Sequence, residues 1–287
     1  MNGNPLDGVI RGTAQPKLTQ GDLNGLRIPV PSHPEQERIV ASIEEQFSRL
    51  DAGTRSIRAA QRRSVQMRGA VLEAAMRGQI AGDPSTWPFI PVNDIAEVSG
   101  GITKNPKRAP KGNSFPFLRV ANVLRDRLDL REVHQIELFP GDLERYQLRR
   151  GDLLIVEGNG SPDQVGRSAL WDGSIDPCVH QNHLIRVRSR ENIIPEYLNI
   201  FWNSPSNKSK IQAAASSTSG LHTLSTGKVR RVEVAVPPLK QQQLIVEEVE
   251  RQLSAIDDMD RALSVVDARS SALRRSILAA AFSGALT

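Results

Sequence analysis

The sequence predicts an α+β chain: one mixed α/β module together with a long antiparallel two-helix coiled coil built from repeated helices. Three observations predict it. Residues Leu18 to Ala81 (LTQGDLNGLRIPVPSHPEQERIVASIEEQF…AAMRGQIA) return without a gap as Leu224 to Thr287 (LSTGKVRRVEVAVPPLKQQQLIVEEVERQL…AAFSGALT), at a constant offset of 206. Each copy holds a long stretch with a heptad of apolar residues. Between the copies come short β-type runs set apart by turn signals.

The bulk composition narrows the class. At 287 residues with 39% hydrophobic residues the chain is long enough for one or two cored domains. Its single cysteine, Cys178, excludes an intrachain disulfide framework and a thiolate metal site, which points to a reducing compartment and so to the cytoplasm. No apolar run approaches the ~20 residues of a membrane helix, so no membrane is expected among the partners. The net charge of +5 suits a polyanion without requiring one.

In chain order, Met1 to Gly25 is polar and glycine-rich and reads as the remnant of a missing preceding domain, expected to pack poorly. Residues 26 to 81 form the first repeat unit, a short strand at Leu26 to Val30 and then a helix from about Pro34, with Ser32 as its cap. From Glu35 to Arg77 there is no proline, and about 43 residues at ~1.5 Å each span roughly 65 Å. The seam is expected at Ile43, Leu50, Ile57 and Val71 in this copy. In the second copy, within residues 225 to 287, it is expected at Val249, Ile256, Met259, Leu263, Val266, Leu273 and Ile277. Acid precedes base along both helices, so antiparallel pairing is expected. The register follows from setting Leu50 on Val266, Ile43 on Leu273, Glu44 near Arg274, Arg58 near Asp260 and Ser64 against Gln252.

Residues 82 to 224 read as a separate mixed module. Strands are expected at Phe117 to Val120, Leu153 to Val156, Ser168 to Trp171 and Leu184 to Val187, with a helix from Pro195 to Trp202 running on toward Ala215. Gly158-Asn159-Gly160 reads as a hairpin turn, since it lacks the lysine of a phosphate loop. His180 and His183 lack a third ligand, which argues against a metal. Asp126 and Asp129 have no poised base or nucleophile beside them, so no catalytic residue is expected.

The nucleic-acid case is stronger. Lys104, Lys107, Arg108 and Lys111 form a basic loop (KNPKRAPKGN) that its prolines should keep extended, suited to phosphate. From Asp83 to Thr223 there are 17 Lys and Arg against 16 Asp and Glu, so any DNA face must be local. Asn122, Asn159, Gln164, Arg167, Gln181, Asn182 and His183 offer the amide and guanidinium groups that read base edges.

With the repeat, the entries IPVPSHPEQERIV and VAVPPLKQQQLIV and the exits AAMRGQI and AAFSGAL, the chain resembles the specificity subunit of a type I restriction-modification system. WPFIPVNDIAEVSGGITK looks like the start of a target recognition domain, YQLRRGDLLIVEGNGSPDQVGRSALW like its central hairpin and HTLSTGKVRRVEVAVPP like its exit. The resemblance implies a non-catalytic, DNA-binding subunit. Its recognition domains each read half of a split target in double-stranded DNA, and its paired helices hold modification (methyltransferase) subunits. It places S-adenosylmethionine, ATP and Mg only in the modification and restriction subunits. Only one recognition domain lies between the two helices, so a half-specificity form is expected, one that two copies could complete. The alternative is a truncated assembly subunit or silent cassette fragment that binds modification subunits without productive recognition.

Overall fold

The structure, a computed structural model, describes residues 19 to 25, 30 to 159, 161 to 218 and 221 to 283. The expected remnant before residue 19 and the strand over residues 26 to 29 lie outside the described residues. Along the chain, α1 (Gln20–Asn24) and α2 (His33–Met76) come first. β1 (Phe89–Pro91), α3 (Val92–Ile95), β2 (Ala96–Ser99), β3 (Ser114–Leu118), β4 (His134–Glu137), α4 (Asp142–Tyr146), β5 (Leu153–Val156), β6 (Gly158–Asn159), β7 (Ser168–Leu170), β8 (Val179–His180) and β9 (Leu184–Ser189) lead to α5 (Pro195–Asn203) and α6 (Pro205–Ala214). β10 (Ser216–Thr218), β11 (Leu221–Thr223), α7 (Thr226–Arg230) and β12 (Glu233–Ala235) precede α8 (Leu239–Phe282). The chain divides into two units, Met1–Gln61 with Arg261–Thr287, and Arg62–Asp260.

Local chemistry sets the ends of the long helices. Ser32 precedes α2, and the Glu35 carboxylate turns back to accept from the Ser32 backbone N–H at 2.9 Å and hydroxyl at 2.6 Å. Gly78, at φ +70°, closes α2 with the two bonds of a Schellman turn, Gly78 N–H to Ala75 O and Gln79 N–H to Ala74 O. The repeat reproduces one detail in both copies: the Gln36 amide donates to Pro31 O, and the Gln242 amide donates to Pro237 O, each at 2.8 Å. The expected single helix after Pro195 is instead two, because Ser204 precedes Pro205 and is held extended at ψ 143°.

In the first unit, Ile43 and Leu50 are half-buried and Ile57 and Ile277 are buried. Val266 and Leu273, expected in the seam, are 49% and 51% exposed. The second inward row is one position further on, at Phe47, Thr54, Asp267 and Ala281. This rotation carries the Arg274 guanidinium over the Phe47 ring, 4.5 Å from its centre, and onto Asp51 at 2.6 Å. Arg274 therefore meets Asp51 rather than Glu44, one heptad from the expected register.

In the second unit the paired stretches run antiparallel, with Ser64 on Asp260 and Arg68 on both Asp257 and Asp260. Ser64, 1% exposed, donates to Asp260 at 2.7 Å instead of meeting Gln252, which donates to Glu248. Leu72 and Ala75 of α2 and Ile245, Val246 and Val249 of α8 enter a core with Ile155, Val187, Tyr197, Trp202 and Val234. Gln242, fully buried, ties α8 to this core by accepting from Ile194 N–H and donating to Asn192 O and Pro237 O.

The central sheet has the order β2-β9-β5-β7, antiparallel throughout. Its strand β5 is buried on both faces: Leu153 and Ile155 face the first core, while Leu154 and Val156 face a second around Trp171, Leu118 and Cys178. A second sheet, β4-β3-β8, covers a third core of Ile102, Phe117, Ile136, Leu138 and Val179. Gly158 and Asn159 form a strand on β11 rather than the expected turn.

The register is testable by oxidation, since Cys178 is buried and burial pushes its thiol up to about 12, leaving it silent. The pair Asp51→Cys/Arg274→Cys should crosslink faster than Glu44→Cys/Arg274→Cys on non-reducing gels. The reverse order would restore the register expected from charge alone.

Candidate nucleic-acid interface

Three loops meet at one edge of the second sheet. Gly101 lies so close to β8 that an added Cβ would stand 2.2 Å from His180 O, so only glycine fits there. Ile102 N–H then donates to His180 O at 2.8 Å, and Asn182 N–H returns to Ile102 O at 3.0 Å. This lacing sets the root of the basic loop beside the turn Gln181 to Leu184, which is closed by Leu184 N–H to Gln181 O. That turn is bonded in turn to Glu157, through its N–H to His183 O and its carboxylate to His183 Nδ1, both at 3.0 Å.

Of the expected site residues, Gln181, Asn182 and His183 thus belong to one laced group, with Lys104 two residues beyond its member Ile102 and Asn159 two residues beyond its member Glu157. The Asn159 side chain lies outside the described residues. Lys104, Lys107 and Lys111 are exposed.

The basic loop is not extended throughout: Pro106–Arg108 forms a 3₁₀ turn, capped by Asn105, whose side-chain oxygen accepts from Lys107 N–H. Arg108 is committed to holding it. Its guanidinium bonds Asp142 at 2.6 Å and Glu137 O at 3.2 Å and lies over Phe139 at 4.3 Å. Beside it, the Glu137 carboxylate gathers Lys111 N–H, Asn113 N–H and the Ser114 hydroxyl. Desolvation opposes its charge, but these bonds prevail and hold it below the usual carboxylate range.

Asn122 and Arg167 are held within the fold. Asn122 is 3% exposed and builds a turn, donating to Asp129 O and Glu132 O and accepting from Arg119 N–H, all at 2.8 Å. Arg167 is buried and brackets the same region, donating to Val123 O at 2.7 Å, Val120 O at 3.0 Å and Gln164 Oε1 at 2.8 Å. Gln164 is thereby engaged as well. Burial first, and the neighbouring Arg125 second, pull the Arg167 guanidinium below its ordinary range. Asn122 and Arg167 are thus turned into the fold, while Gln164 stays exposed with its side-chain oxygen on Arg167.

The sequence reading passed over His134 and Gln135. The pairing of β4 with β3 brings both beside the basic loop, where they line a groove of about 690 Å³ with Lys104, Arg108 and Phe117. The available signal in VHQIEL was the run of β-type residues, with Gln135 and Glu137 on one face and Ile136 and Leu138 on the other.

His180 and His183 do not converge. His183 is exposed on Glu157, while His180 is fully buried, its Nδ1 3.3 Å from Tyr146 O and its Nε2 without a partner. Burial, and then the Arg186 guanidinium, lower His180 from 6.5 to about 3. Among the described residues no group of three His, Cys, Asp or Glu could hold a metal ion.

Comparison with known proteins places this geometry. Residues 84–260 match the family model for the type I restriction modification DNA specificity domain. The chain belongs to that family. It is 28% identical to the EcoKI specificity subunit of Escherichia coli K12 and 24% identical to the StySPI specificity subunit of Salmonella potsdam, in each case over 99% of this chain. The chain spans 63% of the length of each of these relatives. A solved chain from work on complex assembly and conformational transition of the type I R-M system shares the fold, with TM-score 0.74 and 21% identity over 94% of this chain and 65% of its own. The HsdS subunit of Thermoanaerobacter tengcongensis does so with TM-score 0.56 and 21% identity over 97% of this chain and 67% of its own. The long helices and mixed module described above are thus the fold of specificity subunits. No described helix is long and apolar enough to cross a membrane.

Two outcomes follow for this specificity-family chain. Arg167→Met, which leaves two buried carbonyls unpaired, should cost about 2–4 kcal/mol in urea unfolding. Lys107→Ala should stay within about 0.5 kcal/mol. Because His180 is neutral when folded and titrates near 6.5 when unfolded, its contribution is present above pH 6.5 and lost as pH falls toward about 3. His180→Asn should make the acid-side fall in unfolding midpoint shallower; an unchanged slope would remove His180 as its source.

Proposed function

We propose that this chain is a DNA-sequence-recognition subunit of a type I restriction-modification complex, in which residues 82 to 224 read one half of a split target. The observation that carries the reading is the family match over residues 84–260, the stretch that contains the basic loop and the laced turn Gln181 to His183. Lys104, Lys107 and Lys111 would contact phosphate, while Gln181, Asn182, His183 and Asn159 would face base edges. Arg108 holds the basic loop from within, while Asn122 and Arg167, with Gln164, order the neighbouring stretch from Arg119 to Glu132.

In this reading the repeat units, residues 26 to 81 and 225 to 287, hold modification subunits, and restriction subunits join the complex. The chain itself carries out no chemistry. S-adenosylmethionine, ATP and Mg belong to its partners, and the complex works on cytoplasmic double-stranded DNA. A second copy of the chain would supply a second half-site reader and make the target symmetric.

Methylation mapping by single-molecule sequencing, with this chain and its modification subunit co-expressed, checks the proposal. The expected result is a split methylated motif that disappears when this chain is omitted. Methylation without any motif would sink the recognition role, and an asymmetric motif would sink the paired-copy arrangement.

A further inference from the structure

The groove beside the basic loop differs from three other clefts of the described residues in lacking a carboxylate. One cleft, on Phe89, Ile211 and Val232, sets Glu233 among Lys210, Lys228 and Arg231; one along the first unit's helices sets Asp51 and Asp267 among Arg55, Arg58 and Arg274; a third, small one carries Asp126, Glu196 and Glu250. The groove between the basic loop and β4 is lined by Lys104, Arg108, His134 and Gln135 over Phe117 and Ile136, with no carboxylate on its walls. In a module whose acids and bases nearly balance, a cleft of this kind is selective for anions.

Its walls are also rigid. The Arg108 guanidinium fixes one wall to Asp142 and Glu137 O, and Glu137 fastens the loop's far end at Lys111 and Asn113. The opposite wall is a paired strand, with His134 on Phe117 and Gln135 on Pro116. His134 is spent on Glu132 at 2.8 Å. The exposed Lys104 ammonium and Gln135 amide remain as donors at the groove, held apart by two braced walls that need no reordering on binding.

We propose that this groove seats a phosphodiester of the bound duplex, with Lys104 and Gln135 as its donors, so that it positions the recognition loops without reading sequence. Phe117 and Ile136 beneath the groove, both 1% exposed, are core residues that offer no hydrogen-bonding group to a base edge. This inference rests on the DNA-recognition reading above and adds to its Lys104 contact a second donor to the same phosphate, Gln135, from outside the basic loop.

The test uses the full chain in complex with its modification subunit, the duplex carrying the mapped motif, and a scrambled duplex of equal length, titrated from low to moderate salt. Removal of one phosphate contact predicts that Lys104→Ala weakens both duplexes equally, by about tenfold at 0.1 M salt, and lowers the salt slope by about one. Gln135→Ala should weaken both duplexes by the same several-fold factor with the slope unchanged, because the amide is neutral. Lys104→Arg should retain the slope. Both residues are exposed, so unfolding midpoints should not move. A loss confined to the motif duplex would mean that the groove reads bases, and unchanged binding would place it off the DNA; either result overturns the phosphate seat while leaving DNA recognition standing. Equal affinity of the unaltered complex for the two duplexes would instead overturn the recognition reading on which the seat rests.

Discussion

The structure depends on one ion pair made twice. Arg68 and Arg274 occupy equivalent positions of the repeat, as do Asp51 and Asp257; Arg68 binds Asp257 in one unit and Arg274 binds Asp51 in the other. A seam whose second row is Phe47, Thr54, Asp267 and Ala281 has too little apolar surface to fix a register by burial alone. Ion pairs as exposed as these contribute little free energy. Their effect is to discriminate: within each unit, a slip by less than a heptad breaks the pair that the unit contains. In the second unit the buried Ser64 hydroxyl adds a stricter condition, because it has Asp260 as its acceptor.

The second unit carries this alignment into the mixed module. Leu72 and Ala75 from α2 and Ile245, Val246 and Val249 from α8 are members of the same core as β5 and β9 of the central sheet. Gln242 adds direction to that contact, since its amide is bonded to the chain just before α5 on two sides. The opposite face of β5 and β9 holds the core of Trp171 and Cys178, and β8 leads from there to the laced turn at Gln181. The loops that make up the candidate interface are therefore seated on strands whose own position is set by the two helices.

Much of this was legible in the sequence. β5 falls where its four-residue apolar run sits, Leu153 to Val156, because a strand buried on both faces needs no alternation. The first seam row, through Ile57, Ile256 and Ile277, follows from the heptad. The register was not legible, because Glu44 and Asp51 are both acids and stand one heptad apart. Charge alone accepts either as the partner of Arg274, and the Phe47 ring beneath the guanidinium favours the second. The break at Ser204 was written in Pro205, but the apolar pattern running into Ile211 concealed it. The laced group at Gln181 was legible as residue types and not as a place, since the approach of Gly101 to His180 joins residues far apart in the chain.

The inward turn of several guanidinium groups near the candidate interface has a physical cause, which is the division of labour between arginine and lysine. A guanidinium is a planar fork of five donors, suited to satisfying several fixed acceptors at once, whereas an ammonium is a compact, strongly hydrated charge on a flexible stem. In this module the fork is used inside. Arg108 joins a carbonyl to a carboxylate, Arg167 joins two carbonyls to an amide, Arg186 bonds Glu97 and two carbonyls, and Arg188 grips the buried Asp152 with two bonds of 2.7 Å. Reading both residue types as equal donors therefore overcounts the surface available to a polyanion. The near balance of 17 bases against 16 acids is misleading in the same way, because several arginines cancel acids or carbonyls within the fold. What remains uncancelled on the basic loop is lysine, at positions 104, 107 and 111, where the arginine between them keeps the loop in place. A module with almost no net charge can in this way still present a local cationic face, where an arginine such as Arg108 holds a loop whose lysines are left to the solvent.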